Sequence, residues 1–141
     1  MEDLPFVDEH AVSTDALRGE VWAAVVGTLR RTLGGGSAVA RVLGCEPATA
    51  SDDFAGMVGD TLPGFRVISS APGRSLTLEG RHRFSRYRLT FRLDDDRLTA
   101  TTEAAFPGTL GRLYRTAVIG STAHERITRR MLRQMRDQAA A

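Results

Sequence analysis

Lysine is absent from this sequence of 141 residues, and all 19 basic side chains are arginines. We attribute this bias to GC-rich codon usage rather than to phosphate recognition. The chain also lacks a strong net charge, because 17 acidic residues leave a formal charge of only +2. So weak an overall field argues against a specific nucleic-acid partner, which would need concentrated positive charge.

Cysteine is nearly absent too. Cys45 stands alone, which excludes an intrachain disulfide and a zinc site built from cysteines. No three potential ligands have the spacing of a metal site, and "GGGS" at residues 34–37 lacks the lysine of a phosphate-binding loop. The segment "GTLGRL" follows a proline turn and not a parallel strand, so it is no dinucleotide fingerprint. We therefore predict no metal and no cofactor, and the sequence identifies no catalytic set.

Long apolar runs are missing as well. No stretch approaches the ~20 residues that a membrane-spanning helix needs, and the acidic start "MEDLPFVDEH" lacks the basic-then-apolar order of a signal peptide. We therefore expect a cytoplasmic protein without a membrane span. A chain of this length corresponds to one ordinary domain, here residues 1–141.

The first third of the chain predicts a strand followed by helices. "LPFVDEHAV" is typical of a strand, and the following segment has helical spacing of its apolar residues. Ser13, Thr14 and Asp15 are the expected N-cap residues of that helix. "AVARVLGC" favours a second, short helix, and residues 52–63 are expected to be mostly loop. The apolar stripe of the first helix comprises Val21, Trp22, Val25, Val26, Leu29 and Leu33.

From Phe65 onward the apolar pattern changes to a period of two. Three alternating segments joined by short turns predict an antiparallel meander, and "DDD" at residues 94–96 is one of the turns. Glutamates stand among the arginines on the face opposite the apolar residues, so we predict cross-strand ion pairs there. The charged residues of this outer face are Glu79, Arg81, Arg83, Arg86, Arg88, Arg92 and Glu103.

The chain closes on a segment with the pattern of one long amphipathic helix, "PGTLGRLYRTAVIGSTAHERITRRMLRQMRDQ". On a helical wheel the arginines fall on or towards one side, and a mostly apolar set falls on the other. The apolar side must cover the concave face of the sheet, which is the large apolar surface that remains. Its members are Leu110, Leu113, Tyr114, Ala117, Ser121, His124, Thr128, Met131, Leu132 and Met135.

This order of elements predicts an α+β protein and resembles the helix-grip fold, in which a curved antiparallel sheet wraps a long C-terminal helix and short helices follow the first strand. Four segments, "STDALRGEVWAAV", "TLPGFRV", "LEGRHRFSRYRLTFRL" and "AAFPGTLGRLYRTAVIG", resemble a bacterial branch of the START-like superfamily, also called polyketide cyclase-like, SRPBCC or Bet v 1-like. The resemblance spans the whole chain. The resemblance implies a cavity between the sheet and the last helix that binds an apolar or amphipathic small molecule. It does not assign a catalytic role to any residue of this sequence.

Eight residues are the candidates for contacting such a ligand: Trp22, His82, Tyr87, Phe91, Thr102, Tyr114, Ser121 and His124. His82 and His124 could act as general acid or base in a cyclase- or dehydratase-like enzyme, or be core histidines with satisfied hydrogen bonds. Two imidazoles facing one cavity would favour the enzyme, and a purely apolar cavity would favour a carrier. A filled interior would favour an interaction module that uses the arginine face. The sequence does not determine the oligomeric state, and a homodimer is one possibility.

Overall fold

The computed structural model describes residues 3–118 and 123–140 of the chain. All pairings between neighbouring strands are antiparallel, and the six strands form one sheet in the order β1-β6-β5-β4-β3-β2. The α+β prediction is thereby confirmed. The elements are β1 Phe6–Ser13, α1 Arg18–Leu33, α2 Ser37–Leu43, β2 Thr61–Leu62, β3 Phe65–Ala71, β4 Ser75–His82, β5 Ser85–Leu93, β6 Arg97–Ala105, α3 Gly108–Val118 and α4 Ala123–Ala140.

The predicted meander forms β4, β5 and β6, and its register places the apolar residues side by side. Leu76 lies opposite Phe91, and Phe91 lies opposite Ala100, so that the three share the concave face. Each of them is almost fully buried beneath α1 and α4. Because side chains of a strand alternate between faces, this pairing places every second residue on the concave face and the arginines on the opposite face. Strands β3 and β2 extend the sheet at its far edge beyond the predicted strands.

Helix α1 begins later than its sequence predicts. Its N-cap is Leu17, whose backbone N–H donates to the Glu20 carboxylate at 3.3 Å. The prediction of Ser13, Thr14 or Asp15 as the cap is therefore wrong. The backbone N–H of Thr14 donates instead to the carbonyl of Asp96 at 3.0 Å, which ties this segment to the β5–β6 turn. The Thr14 hydroxyl accepts a local hydrogen bond from the backbone N–H of Ala16 at 3.2 Å, ahead of the first residue of α1.

The C-terminal segment contains two described helices, α3 and α4, on either side of residues 119–122. In α4 the wheel is confirmed, because its apolar side is buried and Arg126, Arg129, Arg130 and Arg133 are exposed. In α3 the prediction for Leu113 is wrong, since this side chain is 63% exposed. Helix α3 contacts the end of the sheet through Gly111 and Tyr114. Leu113 lies about 100° around the helix from Tyr114, so its side chain points away from that contact. The buried residues of α4 are Thr128, Met131, Leu132, Met135 and Ala139.

Helix α4 lies on the concave side of the curved sheet, against β1 and β6, and α1 packs along it. Leu132 and Met135 meet Val25 and Leu29 in the hydrophobic core, where all four are almost fully buried. Among the helices of residues 3–118 and 123–140, none combines the length and the apolar character that crossing a bilayer requires.

Candidate functional site

A cavity of about 530 Å³ lies between the sheet, the C-terminal end of α1, α2 and the last two helices. Its lining is predominantly apolar and aromatic. Val39 of α2 and Ile127 of α4 belong to the lining and are nevertheless exposed, so they mark the mouth. The size lies within the range of about 300–1,000 Å³ that is typical of small-molecule sites.

Six of the eight candidate residues line this cavity, namely His82, Tyr87, Phe91, Thr102, Tyr114 and His124. Ser121 lies outside the described residues. Trp22 is not among the residues that line the cavity, and its ring lies beside Gly56 under the loop that follows α2. The cavity contacts α1 only near its C-terminal end, at Thr32 and Leu33. These residues lie about 15 Å along the helix from Trp22, since a helix rises 1.5 Å per residue.

Aromatic rings form one end of the cavity. The ring of His82 lies 4.8 Å from that of Tyr114 and 5.6 Å from that of Tyr87, measured between centroids. Phe65 packs edge-on against Tyr87 at 5.2 Å, and Phe106 lies 6.3 Å from Tyr114. Edge-on and offset contacts of this kind are the favourable arrangements of aromatic quadrupoles. We call this set of five residues the aromatic end.

His82 uses both of its ring nitrogens within the β4–β5 turn. Nδ1 accepts a hydrogen bond from the backbone N–H of Phe84 at 3.0 Å, so the ring proton resides on Nε2. That nitrogen lies 3.1 Å from the hydroxyl of buried Ser85 and donates to it. Burial lowers the pKa of His82, because desolvation disfavours the charged ring. His82 is therefore a neutral, fully engaged wall residue.

Tyr87 is held by the β2–β3 turn. Its hydroxyl donates to the carbonyl of Gly64 at 2.6 Å, and burial raises the pKa of Tyr87 far above its ordinary value. Gly80 permits this approach, because a Cβ there would overlap the carbonyl oxygen of Gly64. Cys45 also lines the cavity beside Tyr87, and burial raises the pKa of its thiol, which favours the protonated form. Sequence reasoning did not place Cys45 here, since α2 and its following turn carry no pattern that points to the sheet.

The opposite part of the cavity wall carries two polar residues, Thr102 and His124, and Asp8 lies beside them without belonging to the lining. Nε2 of His124 lies 3.3 Å from Oδ1 of Asp8 and 3.2 Å from Oγ1 of Thr102. Asp8 and Thr102 are neighbours across β1 and β6, with Val7 as the extra residue of a β-bulge. Sequence reasoning missed Asp8. The sequence feature that could have identified it is the alternation of Asp8 with His10 and Val12, because alternate residues of a strand share one face, here the inner face of β1.

Asp8 also approaches a second imidazole. Nε2 of His10 lies 3.3 Å from Oδ2 of Asp8, and Nδ1 of His10 lies 3.4 Å from Nε of Arg129, which donates to it. The carboxylate thus stands between two histidines that come from different elements. Among residues 3–118 and 123–140, no group of three histidine, cysteine or acidic side chains is arranged to hold a metal ion.

The outer face of the sheet carries the ion pairs that the sequence predicts. Arg88 donates to Glu79 at 3.0 Å, and its other terminal nitrogen lies 3.7 Å from Glu103. The three residues lie opposite one another on neighbouring strands, and the Arg88 side chain is only 5% exposed. The arginines of the sheet therefore pair locally and do not form an uncompensated basic surface at this point.

No family profile and no curated protein matches the chain. Solved structures do match. Protein Mll3558 from Rhizobium loti is 18% identical over 98% of each chain, with a TM-score of 0.56. Truncated norcoclaurine synthase from Thalictrum flavum is 14% identical over 99% of this chain and 95% of its own, with a TM-score of 0.52. DynU16, from the dynemicin biosynthetic locus, is 16% identical over 94% of this chain but 47% of its own, with a TM-score of 0.50.

These likenesses concern the fold. They agree with the curved six-stranded sheet and its C-terminal helices. The chain has the helix-grip fold, as these solved structures do, and the fold that the sequence motifs implied is confirmed.

Proposed function

We propose that the protein, as a single domain of residues 1–141, binds one apolar or amphipathic small molecule in the cavity between the sheet and the last helices. The observation that carries this proposal is the cavity itself, about 530 Å³ in volume and lined mainly by apolar and aromatic side chains. Sites of this kind bury most of a small ligand and orient it through a few polar groups.

The distribution of polar groups supports an amphipathic ligand. The aromatic end offers ring faces to a ligand. The polar atoms of His82 and Tyr87 at this end are already hydrogen-bonded to Ser85 and Gly64. The opposite part offers Thr102 and His124. Thr102 lies two residues along β6 from Ala104, which is the partner of Tyr87, so the two parts are separated by roughly 7 Å along the strand. A ligand of one or two fused rings spans that distance.

The proposal is tested by filling the cavity. Ala104 is buried and lines the cavity, whereas Ala11 is exposed on β1. Ala104→Phe should weaken binding of the fluorescent probe anilinonaphthalene sulfonate by about tenfold or more, and the control Ala11→Phe by less than about twofold. Native mass spectrometry of the purified protein checks for a retained small molecule. Equal probe affinity in both variants would show that the probe binds elsewhere and would contradict the proposal.

A second candidate is an enzyme of the cyclase or dehydratase kind. The observation that favours it is that both His82 and His124 line the same cavity. His82 is poorly suited to proton transfer, because each ring nitrogen already has a hydrogen-bond partner and the ring stays neutral. His124 is therefore the acid–base candidate of this second function.

The third candidate, an interaction module on the arginine face of α4, has weaker support. A filled interior would have favoured it, whereas the structure contains an open cavity. Two of the arginines also lie beside a carboxylate: the guanidinium of Arg129 lies 2.8 Å from Glu125, and that of Arg136 lies 3.2 Å from Asp137.

A further inference from the structure

We propose that Asp8 and His124 form an acid–base pair, in which His124 lines the cavity and exchanges a proton with the bound ligand through Nδ1, and Asp8 orients the imidazole from beside the cavity. The inference rests on the proposed function, because it needs a ligand in the cavity. It names His124 as the catalytic residue and Asp8 as a positioning residue.

The geometry determines which nitrogen carries the proton. A carboxylate has no proton to donate, so the imidazole nitrogen that faces Asp8 must be the donor. That nitrogen is Nε2 of His124, at 3.3 Å from Oδ1, and the Thr102 hydroxyl lies 3.2 Å from the same atom. In a neutral imidazole the lone pair then resides on Nδ1. Asp8 thereby selects the tautomer in which Nδ1 is the basic atom.

The second imidazole supports the same arrangement. Nδ1 of His10 accepts from Arg129, so the proton of a neutral His10 ring resides on Nε2. That Nε2–H lies 3.3 Å from Oδ2 of Asp8, although its direction falls outside hydrogen-bond geometry. Each carboxylate oxygen therefore lies near a positively polarised N–H, one from β1 itself and one from α4. The contacts favour a carboxylate that stays in place between the two rings.

The cavity limits the class of substrate. Phe91 and Met131 line it together with the aromatic end, which suits a planar, largely apolar molecule. On such a molecule a general base can remove the proton of a C–H bond that a neighbouring carbonyl or ring heteroatom acidifies. In such a step the C–H bond breaks and an N–H bond forms at Nδ1. The electron pair moves to the heteroatom, and the same proton can return to another position of the ligand, so no further reactant is needed.

A suitable probe is nitrobenzisoxazole, a planar molecule whose ring C–H is removed by a general base. The proton moves to the base, the C–H electrons form a nitrile, the N–O bond breaks, and a coloured phenolate is released. His124→Ala should lower kcat by about 100-fold, the lower end of what a positioned general base contributes. Arg126→Ala, an exposed position on the same helix, is the control and should leave kcat unchanged. If His124→Ala does not fold, His124→Gln replaces it.

The Asp8 variant separates orientation from binding. Asp8→Asn should lower kcat by at least about tenfold, with the roughly 10⁴-fold cost of a wrong histidine tautomer in a catalytic triad as the upper end, and leave KM unchanged, because it alters the tautomer of His124 but not the cavity. Nitrogen NMR of the imidazole should show the proton of His124 on Nε2 in the wild type and a mixture of tautomers in Asp8→Asn. A change in KM alone, or an unchanged tautomer, would contradict the role of Asp8.

Failure of the inference and failure of the proposed function give different results. If nitrobenzisoxazole displaces anilinonaphthalene sulfonate from the wild type but His124→Ala turns over as fast, the acid–base pair is refuted and the binding proposal stands. If neither molecule binds, the proposed function is overturned and the inference with it.

Discussion

The backbone N–H of Phe84 donates a hydrogen bond of 3.0 Å to Nδ1 of His82, two residues earlier in the chain. Protonation of that nitrogen would replace the acceptor by a second donor and break the bond. Partial burial adds to this, since it lowers the pKa of His82 below the ordinary value of 6.5. The folded protein therefore holds this imidazole in its neutral form.

Acidification should consequently destabilise the protein through His82. Because the folded pKa lies below the unfolded value, the unfolded chain takes up the proton first as pH falls. The free energy of unfolding should decrease as pH falls through 6.5 and continue to decrease down to the folded pKa. Urea unfolding at several pH values should show a smaller acid-induced loss in His82→Gln, since glutamine does not titrate. An identical loss in both proteins would contradict the prediction.

Replacing Gly80 by alanine should lower the stability of the protein, whereas replacing Gly19 by alanine should raise it. A Cβ at Gly80 would overlap the carbonyl of Gly64, so Gly80→Ala should destabilise the protein by about 2–3 kcal/mol and displace Tyr87. Gly19 lies in α1, and a Cβ there meets nothing within 4 Å. Gly19→Ala should therefore stabilise by up to about 1 kcal/mol. Thermal unfolding measures both, and equal shifts would show that the turn does not approach Gly80.

Arg88 should contribute more to stability than Arg92, although both belong to β5 and both pair with glutamates. The Arg88 side chain is 5% exposed between Glu79 and Glu103, whereas Arg92 is 54% exposed beside Glu9. Arg88→Leu leaves two carboxylates facing each other without their shared cation and should cost about 2–3 kcal/mol. Arg92→Leu should cost less than about 1 kcal/mol. Denaturant unfolding distinguishes the two, and a comparable loss in both variants would argue against the buried pairing.

The two sides of α4 should respond differently to a new carboxylate. Met135 is fully buried against α1, so Met135→Asp introduces a charge without a partner and should cost several kcal/mol, about 3 or more. Arg130 is exposed on the same helix, and Arg130→Asp should change stability by less than about 1 kcal/mol. If the two variants unfold at the same temperature, the orientation of α4 is wrong.

The periodic parts of the fold were predictable from the sequence. Strands β4 to β6 and the buried side of α4 follow from spacings of two and of about 3.6 residues, because a strand alternates its side chains and a helix repeats them on one face. His82, Tyr87, Phe91 and His124 reach the cavity for this reason. The cross-strand pairing of Arg88 with Glu79 follows from the same alternation.

The tertiary structure decided which of these residues meet. Asp8 and His124 are 116 positions apart, and their contact depends on a β-bulge in β1 and on how α4 lies across that strand. Trp22 satisfies the helical pattern as well as Val25 does, yet it faces the loop at Gly56 and not the cavity. Local periodicity specifies the face of an element, whereas the partner of that face depends on the register and packing of elements that are distant in the chain.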